Sequence, residues 1–350
     1  MSSVGISGVG MCTPLGLSTS ASEAAFRAGF LCATETPMKG RSGQPIRASY
    51  LPLIPSNFRR NERMLDLAAR ALEDLVSSGE PALQERISAF VGLPAKMDAA
   101  LSGQLMNSLT NLLHIRVQRQ VKVSFFCQGR SAFFFALEGA LEALYYGTCD
   151  VALVGCTESL CSPEILKTLD TDNRLLGPAL DGIIPGEGAA FVSLKPEANL
   201  HSDADRAQGE VLCVATGRES RHFYQETPNT GAGMSDAFRR LRTHPAGNGR
   251  RADLLFTCET GELFWSQEFS LAYFRNTSIM PEPFAKKMAA ESFGDLGAAA
   301  GGVMFGLGIR ALARLHARTQ LRSHLLLCGS SDDGDIGVCF VGGPATSRAD

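Results

Sequence analysis

The sequence lacks several features that define whole classes of protein. Its 33 basic and 36 acidic residues give a formal net charge of −3, without the basic excess that nucleic-acid binding requires. Its ten cysteines include no CxxC pair, and no histidine pattern joins them to form a metal site. The N-terminus has no basic secretory leader, and no apolar run reaches the ~18 residues that a membrane helix needs. We therefore expect a cytoplasmic protein with reduced thiols and with no metal, cofactor, nucleic-acid or membrane partner.

Short apolar runs alternate with helical patterns along the chain, which is typical of an α/β sheet covered by helices. The predicted strands are Val4–Val9, Phe90–Leu93, Val121–Phe126, Val151–Val154, Ala189–Leu194, Val211–Ala215, Asp253–Thr257, His324–Cys328 and Gly337–Val341. The predicted helices are Asn61–Ser77, Ala132–Tyr146 and Gly301–Ala317.

A polar stretch, Lys195–Gly209, separates two parts of similar build. We therefore predict a first half over residues 1–196 and a second half over residues 197–350, joined in one compact unit. A stretch rich in Gly, Pro, Asn and Arg, from Arg218 to Arg251, is predicted to be a surface excursion.

Four segments carry a resemblance to a known family. The opening MSSVGISGVGMCTPLG, the segment ALEALYYGTCDVALVGCTESL, the signature DGIIPGEGAAFVSLK and the loop ESFGDLGAAAGG occur in this order. Together they resemble the β-ketoacyl-acyl-carrier-protein synthases, and the GEG signature is the most specific match. The resemblance implies a thiolase-like fold, in which two related βα halves form a layered α-β-α-β-α sandwich, and a dimeric assembly.

The same resemblance locates the position where such an enzyme holds its nucleophilic cysteine, at the start of a helix. Counting back from the GTCD motif without gaps places Arg130 there, and Arg130 cannot act as a nucleophile because its guanidinium stays protonated. The alternative is that a one-turn extension of the helix brings Cys127 into that position. We favour Arg130.

The other positions that the family uses for catalysis also differ. The first histidine falls at Cys258, or at Glu259 if the register slips by one, and the second falls at Asp295. Asp332 replaces a phenylalanine of the loop that shields the acyl site. The six histidines of the chain lie elsewhere, and only His222 is placed where a displaced loop could carry it to the site. Because these groups act as a unit, we expect no catalytic residue to remain.

Three classes of function remain open. The first is a non-catalytic partner, such as the chain-length factors that accompany active polyketide synthases. The second is a divergent acyltransferase or 3-oxoacyl synthase that uses Cys127. The third is an adaptor for a bacterial secretion-system or effector protein. The chain is also short for the family between Gly92 and Val121, which predicts a smaller acyl tunnel.

A basic cluster bears on the choice of partner. Five arginines lie close together in the sequence: Arg239, Arg240, Arg242, Arg250 and Arg251. Acyl carrier proteins are acidic, so this cluster is a candidate docking patch at the mouth of the site. The implied assemblies are a homodimer or a heterodimer with a related synthase, with an acyl carrier protein as a further partner.

Overall fold

The structure is a computed structural model that describes residues 3–77, 85–177, 181–199 and 208–344. Its strands are β1 (Val4–Cys12), β2 (Thr34–Lys39), β3 (Pro45–Ala48), β4 (Ile87–Gly92), β5 (Lys122–Phe126), β6 (Val151–Ser159), β7 (Glu187–Pro196), β8 (Glu210–Arg218), β9 (Leu254–Thr257), β10 (Lys287–Met288), β11 (His324–Ser330) and β12 (Asp335–Gly342). Its helices are α1 (Thr19–Arg27), α2 (Arg60–Ser77), α3 (Ala99–Val117), α4 (Ala132–Tyr145), α5 (Pro163–Thr171), α6 (Ala232–Thr243), α7 (Leu263–Arg275), α8 (Ala290–Phe293) and α9 (Ala300–Thr319).

All nine predicted strands and all three predicted helices are present, with ends that differ by a few residues. The predicted surface excursion 218–251 was wrong in its middle, where α6 buries Met234, Ala237 and Phe238 against the sheet. The region between Gly92 and Val121 holds α3, which packs on α2. The polar stretch 195–209 lies partly outside the described residues.

The strands of the two halves follow the same order. Across the first half the order is β5-β4-β6-β7-β1, and across the second it is β10-β9-β11-β12-β8. In both halves the first three strands in this order are parallel to one another. The fourth strand runs antiparallel to the third, and the fifth runs antiparallel to the fourth. A short pairing of β1 with β8 joins the two arrays. The fold therefore consists of two related βα units, while the boundary at residue 196 stays a prediction.

Two helices, α4 and α9, form the middle layer between the arrays. α4 contacts β4 and β6 on one side and β8 and β12 on the other, and α9 contacts both arrays in the same way. α2 and α3 cover the outer face of the first array, and α6 and α7 cover that of the second. This arrangement confirms the predicted α-β-α-β-α sandwich.

The first ten residues of α9, Ala300–Ile309, are all buried. Small residues allow this, since a Cβ at Gly302 would overlap the Sγ of Cys156. The span Gly297–Thr319 is long and apolar enough to cross a membrane, contrary to the prediction that no such run exists. However, 78% of its apolar window is buried inside the protein, as expected of a core helix.

The GEG signature has a structural role. Glu187 is fully buried and accepts two hydrogen bonds of 2.7 Å from the Arg63 guanidinium, one to each carboxylate oxygen. The hydroxyl of Ser159 and the amide of Leu51 donate to the same carboxylate at 2.7 and 2.8 Å. A buried carboxylate with four donors is fully satisfied, so Glu187 anchors β7 to α2.

Candidate functional site

The site lies where β5 turns into the central helix α4. A 3₁₀ turn over Gly129–Ser131 leads into α4, with Gly129 in the left-handed region at φ +58°. Arg130 occupies this turn and is 6% exposed. Cys127 lies three residues earlier, half-buried against the hydrophobic cluster under α2 and α3. The structure thus places Arg130, rather than Cys127, at the start of the helix.

The Arg130 guanidinium is held by groups from the second half of the chain. Its Nη1 lies 3.1 Å from Oδ2 of Asp295, its Nη2 bonds Oδ1 of Asp332, and its Nε donates to the Ser330 carbonyl at 3.3 Å. The guanidinium also lies over the ring of Trp265, 4.3 Å from the ring centroid. The protein itself therefore supplies a partner to each nitrogen of the cation and covers one of its faces.

A second arginine extends this network. Arg174 donates to Oδ2 of Asp332 at 2.5 Å and makes a two-pronged ion pair of 2.7 Å with Glu262. The indole Nε1 of Trp265 donates to Glu262 at 2.9 Å. Two arginines and three carboxylates thus fill the place where the family resemblance puts catalytic groups; we call this set the ion-pair centre (Arg130, Arg174, Glu262, Asp295 and Asp332).

The two aspartates that hold Arg130 differ in their pKa shifts. Burial raises the pKa of Asp295, and its one contact with Arg130 does not overcome this effect. Burial acts in the same direction on Asp332, but Arg130 and Arg174 together lower the pKa of that carboxyl below its usual value. Asp332 is therefore the more firmly ionised of the two.

Cys258 and Glu259 follow β9 beside this centre but do not join it. Burial raises the pKa of the Cys258 thiol far above its usual value, so the sulfur stays protonated. The Glu259 carboxylate bonds Lys286 at 2.6 Å and the hydroxyls of Thr257 and Ser266 at 2.9 and 2.8 Å. The two cavities that border these residues have volumes of about 10 Å³ each, space for one water at most.

Cys127 has no activating neighbour among the described residues. Burial raises the pKa of its thiol, and no cation or histidine lowers it. A catalytic thiol needs the opposite environment, with a positive charge or a helix N-terminus beside the sulfur.

The histidines of the described residues have other roles. His222 contacts Gln225, with 3.0 Å between Nε2 and the Gln225 Nε2, and its ring lies 6.3 Å from that of Tyr224. His201 lies outside the described residues. The others bond to the Val121 carbonyl (His114), the Ala246 amide (His244), the Leu321 carbonyl (His316) and the Arg250 guanidinium (His324).

An aromatic loop covers the ion-pair centre from outside. Phe223 stacks on Trp265 with 5.5 Å between ring centroids, and the Arg174 guanidinium lies 4.4 Å from the Phe223 ring centre. The Tyr224 hydroxyl donates to Asp332 at 3.2 Å, and Lys96 Nζ lies 3.7 Å above the Tyr224 ring. This loop falls in the stretch predicted to be a surface excursion, where only His222 was singled out, so the roles of Phe223 and Tyr224 were missed. Arg174 was missed for a similar reason, since no motif marks it.

The candidate docking arginines do not form one patch at the mouth of the site. Arg239 pairs with Asp236 on α6, and Arg240 donates to the Thr216 carbonyl at 2.8 Å. Arg250 contacts His324, which begins β11, whereas the ion-pair centre lies beyond Ser330 at the other end of that strand. A seven-residue strand separates these ends by about 20 Å. Arg250 therefore does not lie at the mouth of the site, and carrier-protein docking through the other four arginines stays a prediction.

The sequence is similar to known proteins over part of its length. Residues 130–199 match the model of the beta-ketoacyl synthase N-terminal domain. The polyketide synthase PksL of Bacillus subtilis is 30% identical over 160 residues, 40% of this chain and 3% of that protein. The non-reducing polyketide synthase CTB1 of Cercospora nicotianae is 29% identical over 132 residues, 35% of this chain and 6% of that protein. The matched segments thus span a small fraction of these relatives.

Solved structures resemble the chain over nearly its full length. The chain resembles, with a TM-score of 0.81 and 13% identity, a structure described as a type II polyketide synthase acyl-carrier protein in complex with its ketosynthase; the match covers 98% of this chain and 99% of the other. The ishigamide ketosynthase/chain length factor matches with a TM-score of 0.79 and 16% identity over the same shares. At these identities the likeness shows the fold alone.

Proposed function

We propose that this chain is a non-catalytic member of the β-ketoacyl synthase family that acts as the partner of an active synthase, in the manner of a chain-length factor. The proposal rests on the ion-pair centre. Arg130 lies at the start of α4, and Asp295 and Asp332 hold its guanidinium there.

Condensation needs a thiolate nucleophile and a group that handles the proton and the developing enolate. A guanidinium supplies neither, because it stays protonated and accepts no hydrogen bond. Buried carboxylates that are already bonded to arginines are poor bases for a substrate. The ion-pair centre therefore supports a structural role for this position.

The space around the centre supports the same proposal. The cavities beside Cys258 and Glu259 hold one water each at most, and Phe223 and Tyr224 cover the centre from outside. An acyl chain that approached from the side of this loop would have to displace Phe223 and Tyr224.

For the partner we propose a related, active synthase, with an acyl carrier protein reaching the complex through that synthase. Among the described residues β5 is an edge strand, hydrogen-bonded to β4 on one side. Its residues Val123–Phe126 are only partly buried, which is typical of an edge that another chain covers. The structural neighbours described as a ketosynthase with its carrier protein and as a ketosynthase/chain length factor are consistent with this assembly. The comparisons give no support to a secretion-system or effector partner.

The test is co-expression of the chain with each β-ketoacyl synthase of its source genome, followed by size-exclusion chromatography and a condensation assay. We expect a stable complex with one synthase, with condensing activity that is absent from this chain alone. Condensing activity of this chain by itself would contradict the proposal and favour the acyltransferase alternative at Cys127.

A further inference from the structure

A groove lies at the end of α4 opposite Arg130. It has a volume of about 460 Å³ and lies between the C-terminal half of α4 and the exposed face of β8; we call it the α4–β8 groove. Its apolar lining is formed by Leu141, Tyr145, Tyr146, Leu212 and Val214 with the chain near Val4. Its α4 residues, from Glu138 to Tyr146, lie about 12 to 24 Å along the helix axis from Arg130, so the groove is a separate feature.

The groove presents large aromatic side chains to solvent. Tyr145 and Tyr146 are 63% and 75% exposed, and their rings meet edge to face at 5.1 Å. β1 pairs with β8 only at Val211 and Glu210, so Leu212 and Val214 continue the apolar wall past that pairing. An exposed apolar surface with paired tyrosines is typical of a protein interface.

The groove is also acidic. Glu138 and Glu142, one helical turn apart, both line it. Glu138 accepts a hydrogen bond of 2.7 Å from the Thr216 hydroxyl, and within the part of the chain that the structure describes neither carboxylate forms an ion pair. A third carboxylate, Glu210, is neutralised by Arg322. Two carboxylates that have no ion-pair partner among the described residues therefore border an apolar surface.

We propose that the α4–β8 groove receives a segment of the partner synthase that carries a lysine or arginine between apolar side chains. The basic group would lie between Glu138 and Glu142 while the apolar groups pack on Tyr145 and Leu212. Charge also favours a different chain over a second copy. In an isologous homodimer around this groove the same carboxylates would face each other. The identity of the partner as a synthase rests on the proposed function, whereas the chemistry of the groove does not.

The groove is tested first with a defined probe. The probes are two fluorescein-labelled amphipathic 12-residue peptides, one of leucine and lysine and one of leucine and glutamate, measured by fluorescence anisotropy against the full chain. We expect the lysine peptide to bind at least tenfold more tightly than the glutamate peptide, and E138Q/E142Q to remove this preference. The matched control, E35Q/E226Q, changes two exposed carboxylates outside the groove and should bind as the wild type does. Equal binding of the lysine peptide to wild type and E138Q/E142Q would overturn the proposal.

The second test uses the complex of the full chain with the synthase. We expect E138K/E142K to weaken the complex at least tenfold while its melting temperature stays close to that of the wild type. A complex that forms with unchanged affinity would overturn the groove proposal and leave the proposed function standing. If the wild type binds no synthase, the proposed function is wrong. The peptide assay alone then shows whether the groove binds a basic amphipathic segment. A wild-type homodimer that E138K/E142K dissociates would make the occupant a second copy and would also overturn the proposal.

Discussion

The two central helices begin in related ways but with opposite charges. α4 follows a 3₁₀ turn that contains Arg130, and α9 follows a 3₁₀ turn over Gly297–Ala299 that Asp295 precedes. A helix N-terminus carries a partial positive charge, so it favours Asp295 and disfavours Arg130. Asp295 also accepts a hydrogen bond of 2.9 Å from the Gly297 amide. The aspartate therefore has local support, whereas the arginine depends on carboxylates from the other half of the chain.

Among the variants considered, substitution of Arg130 should cause the largest loss of stability. We expect R130M to lower the free energy of unfolding by about 3–5 kcal/mol, because it leaves Asp295 and Asp332 without their shared cation in a buried site. Chemical denaturation monitored by circular dichroism measures this change.

Its control is R239M, which removes an exposed ion pair with Asp236. That variant should differ from the wild type by less than about 1 kcal/mol. Equal losses in R130M and R239M would mean that the ion-pair centre adds no stability.

The two aspartates provide the next comparison. We expect D332N to lose about 2 kcal/mol at pH 7 and D295N about 1 kcal/mol, because two arginines hold Asp332 ionised whereas burial opposes ionisation of Asp295. Parallel denaturation curves at pH 7 check the order. A larger loss in D295N would contradict the assignment of Asp332 as the central carboxylate.

The pH dependence sharpens this difference, because the two pKa shifts have opposite signs. The pKa of Asp332 is lowered in the folded state, so its contribution is present above the usual value of 3.8 and is lost as the pH falls below it. The pKa of Asp295 is raised, so its contribution is full below 3.8 and is lost as the pH rises through the folded value. Relative to wild type, D332N should therefore flatten the rise of stability with pH below 3.8, and D295N should steepen it above 3.8. Slopes that change in the same direction in both variants would contradict these signs.

The smallest expected effect is at Cys127. We expect C127A to change the free energy of unfolding by less than about 1 kcal/mol, because the side chain is half-buried and small. The thiol should also react with iodoacetamide more slowly than free cysteine at pH 8, since burial raises its pKa. Faster alkylation than free cysteine would indicate an activated thiol.

Much of the fold could be predicted from the sequence because local patterns determine it. β-rich apolar runs located nine strands, and the GEG signature marked Glu187, whose environment is fixed by a buried turn and Arg63. α6 was missed because its short amphipathic face lies among Gly, Pro and Arg residues that are typical of loops.

The site was only partly predictable. Alignment of the family motifs located Arg130, Asp295 and Asp332, and the structure brings these three residues together. Arg174 and Phe223 could not be predicted, because their roles depend on loops that meet only in three dimensions. The five arginines were close in sequence, but the fold places Arg250 beside His324, at the end of β11 away from the ion-pair centre.

The central claim is that the site at the start of α4 no longer forms an acyl intermediate. Intact-mass spectrometry of the purified chain after incubation with acyl-CoA and acyl-carrier-protein donors tests it directly, with an active synthase labelled in parallel. We expect no adduct on this chain while the control synthase is acylated. A stoichiometric acyl adduct mapped to Cys127 would contradict the account and show that the chain performs acyl transfer.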